Sequence, residues 1–166
     1  MARTRIPFKA FTLPECMLAI AVLAFAVAAI TQSIVAGQVQ THEGLHHERG
    51  TALAEALMDE LLALPYKDPD DQSVTPGPET GETARTAFDN CDDFHNFSET
   101  ATNVADLTGT AYGGLYDDFS RSVTTVYGTE TVTGFSAATN GLTVTITVTD
   151  SRGQQWVITR FVTEPV

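Results

Sequence analysis

The amino-acid sequence predicts an α+β protein in which one long N-terminal helix packs on a C-terminal three-stranded antiparallel sheet. Three observations predict this fold. Residues 11–30 are almost entirely apolar, residues 51–64 repeat leucine at helical spacing, and residues 119–166 contain three segments rich in Val, Thr and aromatic side chains. A chain of 166 residues accommodates one domain together with such an anchor.

The N-terminal segment has the composition of a membrane anchor. Arg3, Arg5 and Lys9 precede residues 11–30, in which Glu15 is the one ionised side chain. Twenty residues at the helical rise of about 1.5 Å span roughly 30 Å, which is the thickness of the hydrocarbon core of a bilayer. The basic flank favours the cytoplasmic side, so we expect the rest of the chain outside the cytoplasm. Because charge within a bilayer is costly, Glu15 calls for a functional reason.

The residues around Glu15 supply such a reason. A short basic leader, the small residue Ala10 and then Phe-Thr-Leu-Pro-Glu at the start of an apolar helix resemble the N-terminus of type IV prepilins and type II secretion pseudopilins. The resemblance implies that prepilin peptidase removes residues 1–10 by cutting between Ala10 and Phe11, and that Phe11 becomes a methylated N-terminus. It also implies that Glu15 pairs with the N-terminal ammonium of a neighbouring subunit, which makes a buried carboxylate tolerable.

The resemblance further implies a location, a function and a set of partners. We expect a minor pilin or pseudopilin that residues 11–30 hold in the inner membrane, with its C-terminal domain outside the cytoplasm, and that assembles into a pilus or pseudopilus. The expected partners are prepilin peptidase, other pilin or pseudopilin subunits, the inner-membrane assembly platform and membrane lipid. Removal of residues 1–10 leaves six basic against 21 acidic residues, a formal charge of −15. So acidic a chain disfavours nucleic acid as a partner.

Two alternatives to prepilin cleavage stay open, namely signal-peptide cleavage and no cleavage. Residues 24–26 and 26–28 both read Ala-x-Ala, the small-x-small pattern of signal-peptide cleavage, which would release a secreted binding domain. An uncleaved apolar segment would instead leave a single-pass anchored binding domain that does not polymerise. Lipidation of Cys16 is excluded, because a lipidated cysteine follows its apolar segment directly after a small residue, whereas Cys16 follows Glu15 and lies near the start of the segment.

Residues 31–64 continue the helix as an amphipathic spine, and Pro65 ends it. Four leucines recur at the spacing of one buried helix face: Leu53, Leu57, Leu61 and Leu64. Three glycines lie in the middle of the spine: Gly37, Gly44 and Gly50. Because each costs about 1 kcal/mol relative to Ala in a helix, they predict a bend or local melting there.

The remainder of the chain divides into an irregular part and a sheet. Residues 65–118 are rich in Pro and Gly and lack periodicity, which is typical of a variable loop region. Strands are predicted over 119–127, 142–149 and 155–163, and the Asp-Ser-Arg-Gly at 150–153 predicts a hairpin between the last two. Alternate residues of the middle strand should face the helix leucines: Leu142, Val144, Ile146 and Val148.

One motif would make the protein an enzyme. His42-Glu43-Gly44-Leu45-His46 fits the H-E-x-x-H pattern, in which two histidines bind zinc and the glutamate acts as base. A zinc-dependent hydrolase is therefore the enzymatic alternative. Gly44 weakens the helix that would hold the ligands, and the motif follows the apolar segment too closely to build a cleft around it. We accordingly expect no enzymatic activity and no cofactor.

A second group of candidate metal ligands lies in the irregular region. Asp89, Asp92 and Asp93 are interleaved with Cys91 and aromatic residues. Because some pseudopilins bind calcium in the exported domain, the resemblance allows a calcium loop here. The alternative is a turn held by hydrogen bonds from local Asp side chains. Cys91 is expected to be a buried apolar residue, since Cys16 in the membrane segment cannot easily reach it for a disulfide.

Overall fold

The computed structural model describes residues 10–68, 75–131 and 138–165. Within them it contains one long helix, α1 (Leu13–Leu62), and four strands: β1 (Ser98–Glu99), β2 (Phe119–Glu130), β3 (Thr139–Asp150) and β4 (Gln155–Thr163). Two short 3₁₀ helices lie between α1 and β2. The predicted α+β class is confirmed. The chain divides into a first compact unit ending at Leu45 and a second beginning at His46.

Helix α1 continues through Gly37, Gly44 and Gly50, so the prediction of local melting at these glycines is wrong. The cost of about 1 kcal/mol per glycine is offset by neighbouring strong helix formers such as Ala, Leu, Gln and Glu. The last turn tightens, with the Leu64 amide donating to the Leu61 carbonyl at 3.1 Å, and Pro65 follows.

The sheet is an antiparallel meander in the order β1-β2-β3-β4. It contains the three predicted strands and one more, so the expectation of three strands is corrected to four. The additional strand, β1, pairs Ser98 with Ser122 and Glu99 with Arg121. Two residues are too few to show an alternating pattern, which is why the sequence did not reveal β1. The predicted hairpin joins β3 to β4, and Gly153 adopts a φ of 81° in its turn.

The core of the second unit lies between α1 and the inner face of the sheet. Leu142, Val144, Ile146 and Val148 are all fully buried, as the alternation in β3 predicts. Opposite them, α1 buries Leu53, Ala54, Leu57, Met58 and Leu61, while Leu64 is partly buried at the edge. Each fully buried side chain of this size contributes about 1.5–3 kcal/mol. These contacts make the second unit a folded domain.

The irregular segment between α1 and β2 also contributes to this core. Phe94 is buried and meets Phe88 and Phe97 edge-to-face, with ring centroids 5.0 and 5.5 Å away. Cys91 is buried, as expected, and its thiol donates to the Leu61 carbonyl at 3.3 Å. Burial raises the pKa of this thiol to about 11, so it stays protonated. The segment is irregular in its backbone and nevertheless packed.

Candidate functional site

The proposed processing site is exposed and lies just before α1. Ala10 and Phe11 are both outside the helix, and 84% of the surface of Phe11 is exposed. A peptide bond in non-helical, exposed backbone is accessible to a protease, whereas a bond inside a helix must first unfold. Residues 1–9, which belong to the proposed leader, lie outside the described residues.

Glu15 occupies the first turn of α1 and reaches back to Thr12. One oxygen, Oε2, accepts the Thr12 backbone N–H at 2.8 Å and the Thr12 hydroxyl at 2.7 Å. This is half of a capping box, in which a Glu at the third helical position satisfies the amide of the N-cap residue. The other oxygen, Oε1, accepts no hydrogen bond within the described residues. Thr12 was not singled out in the sequence, although Thr-x-x-Glu is the signature of this cap.

Within the first unit every side chain from residue 10 to residue 45 is exposed. Large apolar side chains dominate this surface: Phe11, Leu13, Met17, Leu18, Ile20, Val22, Leu23, Phe25, Val27, Ile30, Ile34, Val35, Val39 and Leu45. Helix α1 contains a stretch long and apolar enough to cross a membrane. Continuous apolar surface of this extent marks contact with lipid or with other proteins.

His46, the second histidine of the H-E-x-x-H pattern, packs on the sheet of the second unit. Its Nε2 lies 2.9 Å from Oδ2 of Asp150, and its ring stacks on Phe119 at a centroid distance of 4.6 Å. Neighbouring His47 accepts the indole N–H of Trp156 at 2.7 Å. The structure thus gives both histidines packing partners, whereas His42 lies exposed in the first unit.

Asp150 is the buried acceptor of this junction. It accepts backbone amides from Arg152 and Gln154 at 2.9 and 2.8 Å, in addition to His46 and the Arg152 side chain. Burial alone would raise the pKa of its carboxyl, but hydrogen bonds from Gln154, His46 and Arg152 outweigh it and lower the pKa to about 2. Asp150 therefore stays ionised and fixes the β3–β4 turn against the helix.

A second charged network ties β1 to the core. Arg121 is buried in β2, and its guanidinium donates to Glu99 of β1, to the Ala105 carbonyl and to the Leu53 carbonyl of α1. Glu99 also accepts from Arg85 at 3.0 Å, and Arg85 pairs with Glu60 of α1. Four side chains from four segments thereby neutralise one another. Because these four residues are far apart in the sequence, no local sequence pattern predicted the network.

The acidic turn predicted at residues 89–93 is held by local hydrogen bonds. Oδ2 of Asp93 accepts the amides of Asp89 and Asn90 at 2.9 and 3.0 Å, and Oδ1 of Asn90 accepts the amide of Asp92 at 2.7 Å. Asp92 also accepts the Tyr127 hydroxyl at 2.7 Å. Burial raises the pKa of both Asp92 and Asp93.

Asp93 comes together with two residues that the sequence did not mark, Glu79 and Glu82. One carboxylate oxygen from each lies within 4.8 Å of the other two. Among the described residues, this is the one place where three or more His, Cys, Asp or Glu side chains converge closely enough to hold a metal ion. Burial, helped by the neighbouring carboxylates Glu82 and Asp93, raises the pKa of Glu79 to about 8.

Comparison with models of known protein families, with curated proteins and with solved structures finds no match for this chain. The described residues contain two candidate functional sites. The first is the exposed apolar helix with Glu15 near its start. The second is the acidic cluster of Glu79, Glu82 and Asp93.

Proposed function

We propose that the chain is a prepilin-type structural subunit, a minor pilin or pseudopilin of a type IV pilus or type II secretion pseudopilus. One observation carries the proposal: the apolar first part of α1 is exposed on all sides. It begins two residues after the exposed Ala10–Phe11 bond and bears a single carboxylate, Glu15, in its first turn. Such a helix needs lipid before assembly and other helices after it.

Helix–helix packing is the proposed driving force for assembly. In lipid, helices associate where small side chains let their backbones approach closely. The apolar segment is rich in them: Ala19, Ala21, Ala24, Ala26, Ala28 and Ala29. A segment of this composition serves first as the anchor in the inner membrane and then as the contact surface within the filament.

Glu15 would fix the register of that packing. Its Oε2 is held by Thr12, which orients the carboxylate and leaves Oε1 for an incoming cation. After cleavage, the new N-terminal ammonium at Phe11 of a neighbouring subunit supplies that cation. Removing one partner of a desolvated ion pair leaves an uncompensated charge and costs about 3–5 kcal/mol, enough to select one register.

The second unit would then be the exported head. It has its own core and needs no lipid, and the chain without residues 1–10 has a formal charge of −15. A net charge of this size keeps the exported heads soluble and makes them repel one another, which favours contact between subunits through their helices.

Substitutions at Glu15 test the proposal, with assembly and folding measured separately. Glu15→Gln keeps an oxygen that can accept the Thr12 amide but removes the charge, whereas Glu15→Ala removes both. We expect both variants to stay in the membrane, with the second unit folded, and to be absent from sheared pili or pseudopili. The matched control, Thr12→Val, removes one hydroxyl donor and should still assemble.

The three variants separate the pairing role from the capping role. If Glu15→Gln assembles like the unaltered chain while Glu15→Ala does not, then Glu15 acts as a helix cap only. If all three assemble normally, assembly does not depend on the charge of Glu15, and the proposed pairing role is wrong.

A further inference from the structure

The side of the sheet that points away from α1 is built on a row of threonines. Alternate residues of β3 are buried under α1, so the residues between them point to the opposite side of the sheet. Those residues are all half-buried threonines: Thr143, Thr145, Thr147 and Thr149. Each is the centre of a row of side chains that runs across β2, β3 and β4. We refer to these rows together as the outer face.

Strands β2 and β4 extend these rows with side chains that are likewise uncharged. The residues of β2 opposite the threonines are Thr124, Val126, Ser120 and Ser122. Those of β4 are Gln155, Val157, Thr159 and Phe161. None of these side chains is buried, and Val126 and Val157 are 55% and 56% exposed. On this side of β2, the one charged residue is Glu130, at the far end of the strand.

The lack of charge on the outer face contrasts with the rest of the chain, which has 21 acidic residues and a formal charge of −12. A surface that remains in water typically carries roughly 25–35% Lys, Arg, Glu and Asp. The centre of a protein–protein interface is instead depleted in charged residues. The composition of the outer face therefore favours an interface over a freely solvated surface.

The chemistry of the outer face makes it complementary to itself. Two copies of so acidic a chain repel one another wherever their carboxylates meet, because a carboxylate only accepts hydrogen bonds. A hydroxyl both donates and accepts, so a face of serine and threonine can pair with an identical face. Thr145 and Thr159 already pair in this way within one copy, with hydroxyl oxygens 3.3 Å apart. A symmetric dimer requires such a self-complementary face.

We propose that the outer face binds the outer face of a second copy of this chain, with Thr147 near the centre of the contact. The rows span about 20 Å along the strands and about 15 Å across them, roughly 300 Å² per copy. An interface of this size is weak and transient. Two chains anchored in one membrane meet at a high effective concentration, at which a weak contact suffices. The inference involves neither the cleavage after Ala10 nor the pairing of Glu15.

Opposite charges introduced at Thr147 test this pairing. The full chain, with a donor or an acceptor dye at its C-terminus, is reconstituted in phosphatidylcholine vesicles, and energy transfer measures association. Thr147→Lys and Thr147→Glu should each weaken association by about tenfold or more, because like charges then meet. A mixture of the two variants should regain it, because opposite charges meet. Ala101→Lys and Ala101→Glu, in an exposed turn outside the sheet, are the matched controls and should associate like the unaltered chain.

The lysine variant separates contact at the outer face from general repulsion. Thr147→Lys changes the formal charge from −12 to −11, so general repulsion alone would make this variant associate more tightly. Trp156 fluorescence checks folding, and if Thr147→Lys unfolds, the same exchange is made at exposed Ser122 in the same row.

Three results would overturn the proposal. Energy transfer that is absent in the unaltered chain would leave the outer face to another uncharged partner, such as a polysaccharide. Transfer that does not depend on the substituted row would mean that the helices alone bring the chains together. A mixture of the lysine and glutamate variants that does not regain transfer would mean that two outer faces do not meet.

Discussion

In the first unit every side chain from residue 10 to residue 45 is exposed, whereas in the second unit α1 buries Leu53, Leu57 and Leu61 under the sheet. The difference lies in the sequence of one helix. Residues 13–30 are apolar around the whole circumference apart from Glu15, whereas residues 46–62 bury one apolar face only. A helix that is apolar on one face can bury that face against its own sheet. A segment that is apolar all round requires lipid or other helices, so we expect its contacts to be intermolecular.

Gly44 and Gly50 lie on either side of the boundary between the two units. A Cβ at Gly50 would overlap the ring carbons of Trp156, whose buried indole is hydrogen-bonded to His47. A Cβ at Gly44 would meet nothing within 4 Å. Since overpacking typically costs about 1–3 kcal/mol and Ala gains about 1 kcal/mol in helix propensity, we expect Gly50→Ala to lose about 1–2 kcal/mol of unfolding free energy.

Gly44→Ala should keep that free energy or increase the helical circular dichroism. Urea denaturation followed by Trp156 fluorescence measures the first variant, and far-ultraviolet circular dichroism compares the two. Equal tolerance of both substitutions would mean that α1 does not pack against β4 at Trp156.

Acid should lower the unfolding free energy of the second unit through the protonation of Asp150. The pKa of Asp150 is lowered from 3.8 to about 2 in the folded chain, so its ionised form stabilises the fold. That contribution is complete above the unfolded pKa and is lost as the pH falls from about 4 through about 2. Trp156 fluorescence during urea unfolding at successive pH values should show the loss.

Asp150→Asn is the control, because it removes the titrating group while keeping a similar shape. The variant should be less stable at neutral pH, and its stability should change less between pH 4 and pH 2. An unchanged pH profile in the variant would show that other carboxylates cause the acid sensitivity.

The sequence predicted the elements that repeat over several residues. Alternation in β3 and the leucine spacing in α1 identified the two faces of the core, because a periodic pattern is readable wherever one face is buried. The Phe-Thr-Leu-Pro-Glu segment likewise marked Glu15, and its Thr-x-x-Glu spacing could also have marked Thr12 as the helix cap.

Contacts between residues that are far apart in the sequence produce no periodic pattern from which they could be predicted. His46 and Asp150 are separated by 104 positions, and strand β1 has two residues. Asp93 was a candidate ligand, but Glu79 and Glu82 join it only through the path of an irregular segment. The glycines in α1 misled the prediction because helix propensity is a weak term that favourable neighbours outweigh.

Mass spectrometry of the mature N-terminus, on protein purified from membranes, tests the proposed prepilin class. The proposed prepilin processing predicts a chain that begins at Phe11 with a methylated amine, since residues 1–10 would be removed. A chain that begins after Ala26 or Ala28 would show signal-peptide cleavage and a secreted domain. A chain that retains residues 1–10 would show a plain membrane anchor, and either result would contradict the proposed class.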